Sequence, residues 1–231
     1  MKREIIFRTA GILFLSVLPC TLFAQYQVQD LKSGKKLVKS ILILPPKTSL
    51  VKSGMKGAEP FVAESQALDL GLASIVKQTL TDKGCNVLPD AFSTDGLDQN
   101  PNLKYALSDL QTRYDKLQVL VTRKPKDVQT GRFSLGDGVA NLSTGADGLV
   151  FVRARGVIPT TGLKAFVVFT GMGVTYSHLW LDISIVDAKT GTILYFAKPR
   201  FSGNFVGNPD SMKETINRSF SELRLQYPPK Q

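Results

Sequence analysis

The chain carries few side chains that could form a reactive centre. His178 is the only histidine among the 231 residues, and it lies two positions from Trp180 in a stretch of strand-like alternation. A zinc site built on this imidazole would need carboxylate or thiolate ligands, and none follows a recognisable spacing around it. We therefore predict a structural role for His178, with neither a metal nor another cofactor.

Four aspartates could include the pair of carboxyl groups that glycoside hydrolysis requires: Asp137, Asp147, Asp182 and Asp187. Asp147 precedes a predicted strand and Asp187 opens the turn DAKTG, and aspartates at such positions commonly bind backbone N–H groups. No G-x-S-x-G elbow, Walker lysine pattern or dinucleotide-binding glycine pattern occurs. The sequence thus predicts no catalytic residues, and a hydrolase of cell-wall polymers is the weaker alternative.

The first 24 residues have the three-part pattern of a secretory signal. Three basic residues within the first eight positions precede an apolar stretch over residues 10–23, and Ala24 comes before the polar QYQVQD. We predict cleavage after Ala24, with retention as an anchor as the alternative. Cys20 is a second alternative, as a lipidated cysteine, although a lipoprotein signal has a small residue before the cysteine and Pro19 stands there.

The charge of the remaining chain indicates which partners it favours. The first 24 residues hold three basic residues and one acidic residue, which leaves a net charge of +8 after residue 24. Such a surface favours acidic lipid headgroups or polyanionic glycans, and export argues against nucleic acid. The basic residues are scattered, so the charge also fits simple solubility. Cys85 is then the single cysteine and is predicted to be buried.

The apolar pattern predicts one α/β domain over residues 38–225, between a polar leader at 25–37 and a loose tail at 226–231. Residues 38–44 form a short apolar strand that Pro45 and Pro46 end, and the polar stretch up to Pro60 reads as a loop. A helical stripe over residues 61–83 and the strand CNVLP follow. This β-α-β order predicts two neighbouring parallel strands.

In the second half of the domain, the apolar pattern predicts a helix through residues 103–117, a strand over 148–157 and the hairpin 179–197. The first arm of the hairpin alternates with period two, which predicts one core face and one wetter face. A last helix starts near Asp210. The fold class is therefore α/β: a mixed sheet of about five strands with helices packed on it, ending in an antiparallel hairpin and a C-terminal helix.

Residues 164–176, KAFVVFTGMGVTY, are apolar and carry two glycines. This segment either extends the core as a hairpin arm or forms an exposed flap that meets a membrane or a partner protein. Nearby basic residues could meet anionic headgroups or an acidic partner surface. The predicted contact residues are Phe166, Val167, Val168, Phe169 and Met172 on the flap, with Arg153, Arg155 and Lys164 beside it.

An ordered set of motifs resembles a group of bacterial envelope proteins. The matching positions are Ile41–Pro46, Lys83–Pro89, Ala146–Val152 and Asp187–Tyr195. The group includes the DUF799-type lipoproteins related to a neisserial antigen, the curli-secretion channel subunit family and the amino-terminal domain of TolB. The resemblance covers residues 38–200, and the turn motif D-x-x-T-G by itself is only moderately specific.

The resemblance implies a non-enzymatic binding or scaffolding protein, periplasmic or associated with the outer membrane after signal cleavage. It implies an envelope protein or a membrane surface as partner, with assembly or secretion as the process, and self-association into a homo-oligomer is compatible with it. The alternative is an oligomeric, membrane-associated channel-type subunit. Each membrane-spanning strand needs about 9–11 residues, and residues 163–176 supply barely one.

Overall fold

The computed structural model describes residues 25–90, 92, 94–142, 145–171, 176–205, 209–223 and 225. The predicted signal at 1–24, the predicted tail at 226–231 and the predicted contact residue Met172 lie outside the described residues. The described part is an α/β fold with a mixed sheet, as predicted.

The sheet has nine strands within the described residues, six of which form its main path in the order β1-β8-β7-β6-β2-β5. The hairpin β3–β4 joins this path through β6, and β9 joins it through β7. The strands are β1 (Gln25–Gln27), β2 (Ser40–Ile43), β3 (Lys47–Gly54), β4 (Gly57–Pro60), β5 (Asn86–Val87), β6 (Gly148–Pro159), β7 (His178–Asp187), β8 (Ile193–Ala197) and β9 (Arg200–Ser202).

Helices cover both faces of the sheet. They are α1 (Gln29–Lys32), α2 (Val62–Asp82), α3 (Thr94–Gln99), α4 (Pro101–Arg123), α5 (Thr161–Phe169) and α6 (Pro209–Ser219), with short 3-10 turns at Pro125–Thr130 and Asp137–Leu142. One apolar cluster joins α2 and α6 to one face, and a second joins α4 and the 3-10 turns to the other. The predicted helices, the parallel pair β2–β5 and the hairpin β7–β8 are confirmed.

The loop predicted between Pro46 and Pro60 is wrong, because this stretch forms the hairpin β3–β4. Strands β2 and β3 both run parallel to β6, one after the other, with Ile41 opposite Gly148 and Lys47 opposite Arg153. The Pro45–Pro46 pair separates them. Every residue of β4 is exposed, and Leu50 is the only buried residue of β3, so the hairpin lacks the apolar pattern that marks a strand.

The predicted wetter face of β7 is also corrected. From Leu181 to Asp187 every residue of the strand is buried, including the polar Asp182 and Ser184. Helix α4 covers this face, and the Tyr114 hydroxyl donates a hydrogen bond to Ser184 Oγ at 2.7 Å. A polar residue can occupy a buried position of this kind because its hydrogen bond is satisfied there.

Residues of the predicted polar leader belong to the sheet. Strand β1 pairs antiparallel with β8. The Gln25 amide donates to the Arg218 carbonyl oxygen at 3.0 Å, and the Gln27 amide donates to the Glu222 carbonyl oxygen at 3.3 Å. These glutamines thus bind the end of α6 and the turn after it instead of solvent.

Candidate functional site

Residues 164–169 of the apolar segment belong to the helix α5. The Thr160 side chain caps it by accepting the Leu163 N–H at 3.2 Å, and the Thr160 N–H donates to the Ser53 carbonyl oxygen at 2.8 Å. The chain leaves the helix through Gly171, whose φ is 70°. The expectation of a core extension or hairpin arm is therefore wrong for Thr161–Phe169, because this stretch is helical and has no buried residue.

Helix α5 presents large apolar side chains to solvent. Phe169 is 91% exposed, Val168 61% and Phe166 42%, whereas Val167 is half-buried. Tyr176, which follows the helix, is also exposed. A cluster of this kind is the feature that distinguishes an interaction surface from isolated exposed apolar residues.

The tip of the β3–β4 hairpin lies next to the start of α5. A side chain at Gly54 would place its Cβ 3.5 Å from Thr160 Cγ2. A cleft of about 380 Å³ lies between the two elements, and Lys52, Met55 and Lys56 line its hairpin side. Met55 is 67% exposed. We call α5 together with this hairpin tip the α5 surface.

The described basic residues of the α5 surface are Lys52, Lys56 and Lys164, and Glu59 on the hairpin is its acidic residue. Lys164 lies on α5 itself and is exposed. The Lys52 ammonium lies 5.4 Å from the centre of the Phe61 ring. The surface therefore combines apolar side chains with an excess of positive charge.

The structure does not place the other two predicted basic residues on that surface. Arg153 is buried, its Nε donates to Asp115 Oδ1 at 2.6 Å, and its guanidinium lies 5.1 Å from the centre of the Tyr114 ring. Arg155 is exposed and pairs with the buried Asp182 at 3.2 Å. The expectation that Arg153 meets a partner at the surface is thus corrected, because Asp115 and Tyr114 of α4 hold it inside.

Sequence reasoning missed this polar cluster between α4 and the sheet. Burial raises the pKa of Asp182, and the nearby Lys198 and Arg155 offset that effect only in part. Asp182 also accepts a hydrogen bond from the Gln118 side chain. Because Asp115 lies in a helix whose apolar stripe dominates its pattern, no local signal pointed to its partnership with Arg153.

His178 and three of the four candidate aspartates have structural partners. His178 Nδ1 lies 2.9 Å from Ser202 Oγ, and its ring tilts against Trp180. Asp147 Oδ2 accepts the N–H groups of Lys39 and Ser40, both at 3.0 Å, and Asp187 Oδ1 accepts two N–H groups of its own turn at 2.8 Å. The described residues contain no group of three His, Cys, Asp or Glu that could hold a metal.

Cys85 is buried, as predicted, and burial raises the pKa of its thiol to about 11.

Among the helices of the described part, none combines the length and apolar character that crossing a bilayer requires.

Comparison with known proteins gives a distant likeness in fold. No family model and no curated protein matches the chain. Two structures of the PelC dodecamer from Paraburkholderia phytofirmans are similar to it, with TM-scores of 0.40 and 0.38 and identities of 11% and 10%, each covering 82% of this chain and 90% of the other. Lipoprotein GNA1162 from Neisseria meningitidis has a TM-score of 0.38 and 12% identity, and the match covers 80% of this chain and 95% of that protein.

GNA1162 is a neisserial lipoprotein, and neisserial lipoproteins are among the proteins that the motifs resemble. A likeness at this level concerns the course of the chain and carries no argument about what it binds or does.

Proposed function

We propose that the chain is a non-enzymatic binding protein of the bacterial cell envelope that docks on anionic lipid headgroups through the α5 surface. It reaches the periplasm or the outer membrane after residues 1–24 are removed. The observation that carries this proposal is a helix of nine residues with no buried side chain, in which Phe169 is 91% exposed.

The chemistry of α5 suits the boundary between headgroups and acyl chains. An interfacial helix inserts apolar side chains to a shallow depth while basic residues stay at the headgroups. Phe166, Val168 and Phe169 supply the apolar side chains and Lys164 a basic one. Burying one phenylalanine contributes roughly 1.5–3 kcal/mol, so two such side chains give appreciable affinity even for a short helix.

The charge of the α5 surface favours an anionic membrane over an apolar partner protein. Three lysines, Lys52, Lys56 and Lys164, lie on this surface with one acidic residue, Glu59, and Glu64 of α2 lines a neighbouring cleft with Lys164. A lysine near an anionic leaflet contributes about 1 kcal/mol, and this attraction weakens with salt. The alternative of a cell-wall hydrolase gains no support at His178, whose described polar neighbours are Ser202 and Arg200.

Binding to vesicles tests the proposal. Protein recovered from the periplasm, its N-terminus read by mass spectrometry, is sedimented with phosphatidylglycerol or phosphatidylcholine vesicles. We expect preferential binding to phosphatidylglycerol and a loss of about tenfold or more for Phe169→Ser, since about 1.4 kcal/mol corresponds to a factor of ten. The matched control is Tyr105→Ser, which removes a 77% exposed aromatic side chain from α4 and should bind as wild type does.

Two results would reject lipid docking. One is equal vesicle binding by wild type and Phe169→Ser. The other is self-association without vesicles that Phe169→Ser abolishes, which would identify a second copy of the chain as the occupant of the α5 surface. Analytical ultracentrifugation of the same samples separates these outcomes.

A further inference from the structure

A separate cleft lies at the sheet edge where Pro45 and Pro46 interrupt the pairing along β6. It has two parts, of about 670 Å³ and about 390 Å³, and Asp69 of α2 lines both. We call this the proline cleft. Such volumes fall in the range of small-molecule sites, which are concave, largely apolar and equipped with a few polar groups.

The larger part of the proline cleft is mostly apolar. Leu44 follows β2 and Leu88 follows β5, and these strands are parallel neighbours, so their carboxyl ends meet at one edge. Ligands of open α/β sheets bind outside the carboxyl ends of strands. Pro46 and Phe92 also line this part, together with Leu70, which is 77% exposed.

The smaller part of the proline cleft is lined by charged side chains. Lys47, Arg153 and Arg155 line it, against the acidic Asp69 and Asp115. The Lys47 and Arg155 side chains are 46% and 59% exposed, so a ligand can reach them from solvent. Asp182, which pairs with Arg155, adds a third acidic group, so the positive and negative charges balance when all six groups are ionised. The N–H donors of Lys47, Arg153 and Arg155 are what this part of the cleft offers an anion.

Arg153 points to the same ligand chemistry. Its side chain is 8% exposed, and its Nε and Nη1 bind Asp115 and the Val152 carbonyl oxygen. Its Nη2 is buried and has no hydrogen-bond partner among the described residues. A buried guanidinium N–H without an acceptor is costly, and an anionic oxygen beside it relieves that cost.

We propose that the proline cleft binds a small amphipathic anion, whose acid group lies between Lys47, Arg153 and Arg155 and whose apolar tail lies along Pro46, Leu70 and Leu88. The two parts of the cleft match the two halves of such a molecule. This site lies beside the first residues of β3, whereas the α5 surface involves its last residues and the turn into β4. It is therefore independent of the proposed membrane contact.

Calorimetry with decanoate as the probe, and 1-decanol as its uncharged counterpart, tests this site. We expect saturable binding of decanoate and weaker binding of 1-decanol. Lys47→Gln should lower the affinity for decanoate about threefold to fivefold, as expected for a half-exposed charge pair, and leave 1-decanol unchanged. Its control is Lys104→Gln, which removes a lysine of similar exposure paired with Asp98 and should have no effect.

The apolar half is tested with Leu70→Ser, which should weaken both probes by about tenfold. Leu120→Ser, at a 53% exposed leucine of α4, is the matched control. Absence of saturable decanoate binding up to about 1 mM, or an equal effect of Lys47→Gln on both probes, would overturn the proposal. Phe169→Ser should bind decanoate normally, so that failure of this site and failure of membrane docking are distinguished.

Discussion

The hydroxyl of Tyr114 donates a hydrogen bond of 2.7 Å to the hydroxyl of Ser184, joining α4 to the middle of β7. Both residues are fully buried. The Tyr114 ring also stacks on Phe151, with 4.1 Å between ring centres. This contact explains how β7 carries a serine within the core, since the Tyr114 hydroxyl supplies a donor to the buried Ser184 oxygen.

Tyr114→Phe should lower the free energy of unfolding by about 1–3 kcal/mol, because it leaves the buried Ser184 hydroxyl without this partner. Ser184→Ala should have a similar effect for the converse reason. The double variant should lose less than the sum of the two, since no polar group then remains unpaired. Urea unfolding of the four proteins measures this, and strict additivity would contradict the hydrogen bond.

Asp147→Asn should destabilise the protein near neutral pH. The difference in unfolding free energy between wild type and this variant should become smaller in acid. Burial by itself would raise the pKa of Asp147, but hydrogen bonds from Ser40 and Lys39 outweigh it and hold the pKa below the usual 3.8. An acid with a lowered pKa in the folded state contributes stability above about pH 3.8 and loses that contribution as the pH falls through its folded value.

The measurement for Asp147 is the unfolding free energy of wild type and variant between pH 7 and pH 2. The control is Asp98→Asn, which changes an exposed carboxylate paired with Lys104. A plot of its unfolding free energy against pH should run parallel to that of wild type. A difference between wild type and Asp147→Asn that stays constant over the whole pH range would contradict the prediction.

Cys85 should react slowly with thiol reagents while the protein is folded. Its pKa of about 11 lowers the thiolate fraction near pH 8 about 100-fold relative to a free cysteine, and burial restricts access further. In a Cys20→Ala background, where Cys85 is the only thiol, labelling with iodoacetamide should be slow in buffer and rapid in denaturant. Rapid labelling in buffer would show that the folded protein exposes the Cys85 thiol, and would contradict the prediction.

Gly191→Ala should destabilise the protein more than Gly171→Ala does. Both glycines have a φ of 70°, at which a side chain costs about 1–2 kcal/mol. A Cβ at Gly191 would also lie 2.6 Å from the Gly136 carbonyl oxygen, whereas one at Gly171 would meet nothing within 4 Å. Thermal unfolding compares the two, and equal losses would contradict the close approach at Gly191.

Much of the fold could be predicted because α2, α4 and the hairpin β7–β8 carry strong periodic patterns. The strands that were missed lack such patterns. Strand β3 buries only Leu50, and β1 is held in part by glutamine side chains whose partners lie almost the whole chain away. A contact between residues so far apart leaves no trace in the local sequence.

The candidate site could be predicted in part. Composition singled out the apolar stretch that contains Phe166 and Phe169, but its valines and phenylalanines favour a strand by propensity, and the helix depends on a cap at Thr160. The burial of Arg153 depends on Asp115 and Tyr114 of a different element, so its charge alone suggested a surface position.

The pairing of Gln25 with the C-terminal segment has a consequence for biogenesis. Its side chain binds groups 193 to 197 positions later in the chain. These hydrogen bonds at the β1 edge of the sheet cannot form during synthesis until nearly all residues have left the ribosome. The nascent polypeptide therefore lacks these contacts for most of translation.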